Sequence, residues 1–378
     1  MGKKYPSGHK KVLILHAPLG VGHGAAAKAI AEAFALKYPE IEVKNIDVLD
    51  FVFDIFKQSL PWVYSQTTLK IPLVYKWIYN YCQTHYKFLN NISGVILRKS
   101  KFAKFIEDYN PNFIISTNPL PMQLVSVTKG KEIINILSAN VCTDFGFYSM
   151  WHNKDVNYYF VANTGIKNCL AGHGVDSDQV QVTGIPTSLK FSVILDRKKI
   201  LGKLRFDEAK PILLIVGGRI SYENLLAIVN GVKGKTKDCQ FIIVSGRDKV
   251  LQNKLKNSKI KNYPSVRIFD FVDNLDELMT AADLIITKAG GLTVSECLVK
   301  GLPMIINDII PGQEEDNVNY VARHGAGIKS SSTEETIEIV NKLFLHPEKL
   351  AAMKENCRRI ARPDAAKDIV DFVVSKIK

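Results

Sequence analysis

Short apolar runs of strand length alternate with longer segments of helical length along most of the chain. In the first half these runs lie at residues 11–16, in "IEVKNIDVL", at 111–117 and at 156–163. A second series begins at "ILLIVGG" and continues through "QFIIVSG", "VRIFDFV", "DLIITKAGG" and "LPMIIN". Such alternation predicts parallel sheets with helices on both faces. We therefore expect an α/β protein with two domains that face each other across a cleft.

A change of composition near residues 190–210 marks the predicted domain boundary. The charged segment "LDRKKILGKLRFDEAKP" separates the two series there. We expect an N-terminal domain over residues 1–190 and a C-terminal domain over residues 205–357. Residues 358–378 are expected to form a C-terminal helix that packs back toward the first domain.

The composition excludes several classes of protein. With 378 residues, 46% of them hydrophobic and 23% charged, the chain is large enough for two globular cores. Its six cysteines include no C-x-x-C pair, which argues against disulfides or structural zinc and favours a cytoplasmic location. No apolar run approaches the roughly 18 residues of a membrane-spanning helix. The N-terminal apolar run fits a first strand better than a signal peptide.

Positive charge is concentrated in residues 55–106. The whole chain has a net charge of +13, and this window has eight basic residues and no acidic one. Its cations are interleaved with aromatic residues, which is typical of a membrane interface, where rings lie at headgroup level and cations meet anionic lipid. A groove for single-stranded nucleic acid would use the same residue types, and a helical subdomain with an aromatic core is the structural alternative.

We expect this window to contact an anionic membrane surface, and we expect no nucleic-acid partner. The residues expected at the membrane are Lys57, Trp62, Lys70, Lys76, Trp77, Lys87, Arg98 and Lys99.

Three glycine-rich turns directly follow predicted strands. They are "GVGHG" at 20–24, "GGRIS" at 217–221 and "KAGGLTVSE" at 288–296. In open parallel sheets ligands bind at the carboxyl ends of strands, and helix N-termini bind phosphate. No turn is followed by G-K-[ST], so none is a P-loop. The first turn fits G-x-G-x-x-A, with Asp47 as a ribose acid, but nothing else supports a dehydrogenase.

The third turn places Glu296 about one helical turn into a helix that begins at a glycine pair. A phosphate at the helix start and a carboxylate one turn later suit a nucleoside diphosphate, whose ribose hydroxyls the acid would bind. Thr293 and Glu296 also match the T-x-x-E capping box. Spacing alone leaves this structural alternative open.

Residues 287–328 resemble the nucleotide-sugar motif of glycosyltransferase family 28. "GLTVSE" is similar across that family. "LPMIINDIIPGQEEDN" resembles its diacylglycerol branch, the monogalactosyldiacylglycerol synthases and processive diacylglycerol glucosyltransferases. "GVGHGAAAKAI", "VCTDFGFYSMWHNKDVNYYFVAN" and "VTGIPTS" are similar to the N-terminal half of these enzymes. The resemblance covers nearly the whole chain.

The resemblance implies the two-domain GT-B fold, with two Rossmann-like domains, and inverting transfer of a hexose to the hydroxyl of diacylglycerol. The donor would be UDP-glucose or UDP-galactose, with no cofactor and no metal. The enzyme would lie peripherally on the inner face of the cell membrane. Glu296 would bind the uridine ribose, and Val272 would face the uracil. The implied UDP-binding residues are Gly217, Gly218, Arg219, Val272, Gly291, Leu292, Thr293 and Glu296, and the implied sugar-binding residues are Gln313, Glu314 and Asn317.

His23, in the first glycine turn, is expected to act in catalysis. Inverting transfer needs a base for the acceptor hydroxyl proton and positive potential on the leaving UDP, and a helix N-terminus supplies the second. His23 would be that base, orient the acceptor, or contact a lipid phosphate or the donor diphosphate. Asp144 is the competing base. A histidine that caps its own helix is the structural alternative.

The sequence also contains a pattern that is typical of a metal site. Asp176 and Asp178 match the metal-binding D-x-D of another glycosyltransferase fold. They lie in a helix-to-strand loop, where aspartate is a common turn residue, so we expect no metal.

Two other functions are alternatives to transfer of a hexose to diacylglycerol. A lipid II-type N-acetylglucosaminyltransferase is the alternative with the same fold, and a UDP-sugar 2-epimerase is the alternative from another class of enzyme.

Overall fold

A computed structural model of the chain describes most of its residues, and they divide into two compact units. The first unit comprises Met1–Leu189, Ile310–Asp316 and Arg362–Lys378, and the second comprises Lys190–Ile309 and Asn317–Ala361. The described residues are 8–18, 20–51, 59, 63, 67–68, 71, 73–74, 76–77, 79–81, 83–84, 99–129, 136–217, 220–236, 238–312 and 314–377.

The first unit is built on a six-stranded parallel sheet. Its strands are β1 (Lys11–His16), β2 (Glu42–Asp47), β3 (Phe113–Ser116), β4 (Leu137–Val141), β5 (Tyr158–Val161) and β6 (Val180–Val182). The longer helices described in full between these strands are α1 (Val21–Lys37), α2 (Lys99–Tyr109), α3 (Pro119–Lys129) and α4 (Thr164–Gly172). The strand order is β2-β1-β3-β4-β5-β6.

The second unit repeats this plan. Its strands are β7 (Ile212–Val216), β8 (Gln240–Val244), β9 (Val266–Phe269), β10 (Leu284–Lys288), β11 (Met304–Asp308) and β12 (Gly327–Lys329), in the order β12-β11-β10-β7-β8-β9. The helices that follow α4 along the chain are α5 (Arg197–Leu204), α6 (Tyr222–Lys235), α7 (Lys249–Lys256), α8 (Leu275–Ala281), α9 (Gly291–Lys300), α10 (Glu315–Arg323), α11 (Thr333–Leu345), α12 (Pro347–Ile360) and α13 (Ala365–Ile377).

Short 3-10 helices complete the two units among the described residues. They span Val48–Phe51, Ser149–Trp151, Ser177–Gln179, Leu189–Ser192 and Lys259–Asn262. Helix α13 belongs to the first unit and packs against α1. Ile369 and Val373 of α13 are fully buried there in one cluster with Ile30 and Phe34 of α1. The apolar faces of these two helices therefore close one side of the first sheet.

The charged boundary segment is partly helical, which composition did not indicate. Helix α5 begins after Asp196, whose side chain accepts a hydrogen bond from the Lys199 backbone N–H at 3.1 Å. Ile200, Leu201 and Leu204 are buried beneath it, while its lysines face outward. The apolar positions recur at helical spacing, so the segment buries one face despite its many charges.

Two parallel sheets with helices between their strands confirm the predicted α/β fold class. The alternation of the sequence appears directly in the element order, and every strand pair described in either sheet is parallel. Within the described residues, we find no helix with the length and apolar character needed to cross a membrane.

Candidate active site

Each sheet has one point at which the strand order reverses. In the first sheet it lies between β1 and β3, and in the second between β7 and β10. Ligands of open α/β sheets bind outside the carboxyl ends of the strands at such a point. The first and third glycine turns follow β1 and β10, two of the strands that border these switch points. The second turn follows β7 and reaches the same point as the third.

The turn after β1 presents His23 in the first turn of α1. Gly20 is the N-cap residue, and its φ of +96° lies in a region that favours glycine. Gly20 has no side chain that could cap this helix end. The described hydrogen bonds of the His23 ring go to other loops and not to the backbone of α1, so the ring does not cap its own helix.

The His23 ring is instead fixed by the loops that follow β3 and β4. Its Nδ1 lies 2.7 Å from the Thr117 carbonyl oxygen and 3.0 Å from Thr143 Oγ1. The Thr117 hydroxyl donates to the His23 carbonyl at 2.9 Å. Because a carbonyl only accepts, Nδ1 must carry the ring proton, which leaves Nε2 as a hydrogen-bond acceptor.

His23 is held in its neutral form. The side chain is only 9% exposed. Burial lowers its pKa to about 4, against the opposing effect of the Thr117 hydrogen bond, and His16 lowers it further. At neutral pH this imidazole is therefore uncharged and can accept a proton or a hydrogen bond. A charge-assisted contact from an imidazolium to a phosphate is disfavoured for the same reason.

Asp144 lies on the same edge of the first sheet, three residues beyond β4. It is half-buried, and its negative charge contributes to the raised pKa values of Tyr79 and Cys142, which burial raises most. The loop that carries it also carries Thr143, the second partner of His23. The structure therefore brings the two candidate bases to the same edge of one sheet, after β1 and β4, with β3 between these strands.

The turn after β10 starts α9 at Gly291. Gly290 is the N-cap and has no side chain, so no N-cap side chain satisfies the N-terminal N–H groups of this helix. Thr293 lies inside the helix, which makes the T-x-x-E capping box wrong. Gly291 is buried, and Leu292 and Thr293 are half-buried in the first turn.

Glu296 lies in the second turn of α9 and is half-buried. Burial raises its pKa to about 8, Lys190 opposes this shift, and Asp276 adds to it. Lys190 is engaged elsewhere, since its Nζ lies 3.5 Å from Asp276 Oδ1 and donates to the Asp273 carbonyl. Among the described residues, we find no hydrogen-bond partner for the Glu296 carboxyl, so its oxygens are available to a ligand.

The remaining residues of the predicted UDP site are described in part. Gly217 follows β7, and its N–H donates to the Val244 carbonyl at 2.7 Å. A Cβ there would lie 3.2 Å from the same oxygen, so the backbone approach is close. Val272 is half-buried in the loop after β9, on the same sheet edge. Gly218 and Arg219 lie outside the described residues.

The predicted sugar-binding residues serve the local backbone. In the first unit, Glu314 is 3% exposed and its Oε2 accepts the Ile310 N–H at 3.0 Å. In the second unit, Asn317 is fully buried and its Nδ2 donates to the Ala289 carbonyl at 2.9 Å. Ala289 precedes Gly290, the N-cap residue of α9, so Asn317 supports that turn. Gln313 lies outside the described residues.

Of the eight predicted membrane residues, the structure describes the side chains of Lys76 and Trp77. Lys57, Trp62, Lys70, Lys87 and Arg98 lie outside the described residues, and Lys99 opens α2 with its side chain undescribed. Trp77 is 67% exposed. Lys76 is paired with Glu315, Nζ to Oε1 at 2.8 Å, which sequence reasoning missed. Part of the window is core, since Phe102 is fully buried against Phe51.

The D-x-D motif forms a local turn. Asp176 precedes the 3-10 helix Ser177–Gln179, and the Gln179 side chain accepts the Asp176 N–H at 3.1 Å. Both aspartates are exposed. Within the described part of the chain, no three His, Cys, Asp or Glu residues cluster as metal ligands would.

Comparison with known proteins decides the family. A profile described as "Monogalactosyldiacylglycerol (MGDG) synthase" matches residues 23–187, and the "Glycosyltransferase family 28 C-terminal domain" matches residues 212–369. A "Processive diacylglycerol beta-glucosyltransferase" of Bacillus cereus (strain ATCC 10987 / NRS 248) is 30% identical over 389 residues, covering 97% of this chain and 94% of the relative. The chain belongs to glycosyltransferase family 28. It is a glycosyltransferase, as the sequence predicted.

Solved structures place this glycosyltransferase in the GT-B fold. A putative UDP-N-acetylglucosamine 2-epimerase from Listeria monocytogenes has a TM-score of 0.67 at 13% identity, with 98% of this chain and 97% of that chain covered. MurG of Acinetobacter baumannii has a TM-score of 0.60 at 15% identity, with coverages of 97% and 99%. At these identities the likeness establishes the fold alone, and the predicted GT-B fold is confirmed.

Proposed function

We propose that this glycosyltransferase transfers glucose from UDP-glucose to the hydroxyl of diacylglycerol, with inversion and without a metal ion. The observation that carries the proposal is the start of α9, where an N-terminus without a side-chain cap lies at a switch point with Glu296 one turn further on. Such a helix end attracts a diphosphate. The names of the relatives that align over the full chain support glucose and diacylglycerol. Galactose is the alternative sugar, which the matching synthase family suggests.

The donor would bind along the carboxyl edge of the second sheet. The N–H groups at Gly291 and Leu292 would receive the diphosphate, and Glu296 would accept hydrogen bonds from the ribose hydroxyls. As the bond to the anomeric carbon breaks, negative charge develops on the leaving UDP. The preorganised N–H groups and the positive end of the α9 dipole stabilise that charge.

The acceptor hydroxyl would meet His23. Its Nε2 accepts a hydrogen bond, because Nδ1 is committed to Thr117. Transfer of the hydroxyl proton to His23 creates an imidazolium in a buried site, which a pKa of about 4 disfavours. Asp144 is the alternative base on the same edge.

A membrane surface would supply the acceptor. The described residues between 73 and 84, here called the 73–84 segment, are helical. Its outer face is apolar and exposed, with Leu73 79%, Val74 45%, Trp77 67% and Tyr81 40% exposed. Trp77 and Tyr81 stack at 5.8 Å. An amphipathic helix with such a face, flanked by lysines, fits an anionic membrane interface on the cytoplasmic side.

A transfer assay tests the proposal. The protein is incubated with labelled UDP-glucose or UDP-galactose and vesicles of diacylglycerol with anionic phospholipid, and the lipids are separated by chromatography. We expect a labelled glycosyldiacylglycerol of β configuration, whose glycosidic bond survives the alkali that removes its acyl chains. A parallel incubation contains labelled UDP-N-acetylglucosamine and lipid I, and label in lipid II there would support the N-acetylglucosaminyltransferase. Interconversion of UDP-N-acetylglucosamine without lipid labelling would support the epimerase instead.

A further inference from the structure

The inner face of the 73–84 segment is occupied by three side chains at helical spacing, Lys76, Tyr79 and Gln83. These positions, i, i+3 and i+7, lie on the side of the helix opposite the exposed residues Val74 and Tyr81. All three are half-buried, whereas the outer residues are exposed. All of their contacts described below lie within the first unit.

The Tyr79 ring contacts one side chain and one backbone segment. Its ring stacks on Tyr148 at a centroid distance of 4.5 Å and an interplanar angle of 13°. The backbone of Gly312 lies against the other part of the ring, since a Cβ on Gly312 would be 2.8 Å from Tyr79 Cδ1. Gly312 also has a φ of +89°. The sequence P-G-Q-E therefore requires glycine for two independent reasons.

Two neighbouring contacts fix the same region. Lys76 Nζ lies 2.8 Å from Glu315 Oε1, at the start of α10. Gln83 donates to the Phe147 carbonyl at 3.2 Å and accepts the Ser149 N–H at 2.6 Å. The inner face thus joins the 310–316 segment on one side and the loop after β4 on the other.

We propose that Lys76 and Tyr79 are positioning residues for the donor hexose. They hold Gly312 and Glu315, on either side of the predicted sugar-binding residue Glu314, through one ring contact and one ion pair. The proposal rests on the proposed function, because that function supplies the hexose. The 73–84 segment would then contact lipid through its outer face and fix Gly312 and Glu315 through its inner face. Membrane contact and sugar recognition would therefore depend on the same helical segment.

The test compares the binding of UDP-glucose with that of UDP. Calorimetry gives both dissociation constants for wild type, Lys76→Met, Lys76→Arg, Tyr79→Ala and Tyr79→Phe. A partly exposed ion pair accounts for about 2- to 5-fold, and loss of the ring contact for about 2- to 10-fold. We expect these losses in the affinity for UDP-glucose and in its KM, with UDP affinity unchanged. Lys76→Arg and Tyr79→Phe should keep near wild-type values, because each retains its contact.

Matched controls separate positioning from folding. Lys254→Met removes an exposed ion pair of the same length, to Glu223 at 2.8 Å, in the second unit, and should leave the UDP-glucose to UDP ratio unchanged. Gly174 has a φ of +87° with nothing within 4 Å of an added Cβ, whereas Gly312 has both strain and the ring contact. Gly312→Ala should therefore lose UDP-glucose affinity, while Gly174→Ala should cost stability alone.

The outcomes distinguish this inference from the proposed function. If wild type labels no diacylglycerol, the acceptor assignment fails, but the comparison of UDP-glucose with UDP still tests the positioning. If wild type transfers hexose and Lys76→Met, Tyr79→Ala and Gly312→Ala keep the wild-type affinity ratio, the positioning role is overturned. Equal losses for UDP and UDP-glucose would also overturn it, because they indicate a general structural defect.

Discussion

Replacing Glu296 with Gln removes a carboxyl group whose pKa is raised to about 8 from an ordinary value of 4.5, chiefly by burial. In the ligand-free protein this carboxyl is therefore mostly protonated at pH 7. If the ribose hydroxyls bind the carboxylate, ligand binding must displace the proton. The affinity for a UDP-sugar should then rise with pH, since each unit below the pKa lowers the ionised fraction about tenfold.

The size of the effect follows from that fraction. Between pH 6 and pH 8 the wild-type dissociation constant for UDP-glucose should fall by roughly ten- to fifty-fold. The glutamine variant has no proton to release, so its affinity should not change over this range. At pH 8 it should bind about 1–3 kcal/mol more weakly than wild type, through loss of charge-assisted hydrogen bonds. Glu296→Ala should lose a similar amount.

Calorimetry in two buffers of different ionisation enthalpy measures both affinity and proton release. UDP-glucose is preferable to UDP, because its diphosphate has no protonation step between pH 6 and 8. The folded state binds the Glu296 proton more tightly than the unfolded chain, so this group lowers stability as pH rises from 4.5 toward about 8. Thermal unfolding of the glutamine variant at pH 8 should therefore be no lower than that of wild type. Identical pH profiles and affinities for both proteins would refute the ribose assignment.

Three further predictions follow from the other elements of the site. His23→Ala should reduce kcat by about 10²–10⁴-fold with UDP affinity nearly unchanged, and a comparable loss in Asp144→Ala alone would move the base to that residue. Activity should survive EDTA, because helix N-termini and N–H donors stabilise the leaving group; complete loss that magnesium or manganese restores would contradict this and return attention to Asp176. Leu73→Glu combined with Trp77→Glu should abolish flotation with anionic vesicles and spare UDP binding, since each apolar side chain contributes about 1.5–3 kcal/mol on burial. A double variant that still floats would make this face an ordinary protein surface.

The fold could be predicted because its pattern is local. Each strand is an apolar run that a helix follows, and the hydrophobic period changes from one to the other within a few residues. Helix α5 was not predicted, because the segment was interpreted from its high content of charged residues. The helical spacing of Ile200, Leu201 and Leu204 would have identified one buried face.

The site was predictable in its glycine turns and not in its partners. "GVGHG" identified His23, and the turn at 288–296 identified Glu296, because a turn after a strand is visible in one stretch of sequence. Thr117 contacts the His23 ring across 94 positions and Lys76 contacts Glu315 across 239, so sequence spacing carries no information on either. The raised pKa of Glu296 likewise depends on its burial and on Asp276 and Lys190, which only the folded unit brings near it.

The charge states of the two principal side chains fit an anionic donor. In the ligand-free protein at pH 7, burial keeps His23 neutral with a pKa of about 4 and Glu296 largely neutral with a pKa of about 8. Neither of these two side chains then is a buried charge without a partner, which would cost several kcal/mol. Each charge would appear only with its ligand, as Glu296 releases a proton to the solvent when the ribose binds and His23 gains one when the acceptor reacts. Because the pKa of His23 lies far below the working range, the donor kcat/KM should show one inflection between pH 5 and 9, and that inflection belongs to Glu296.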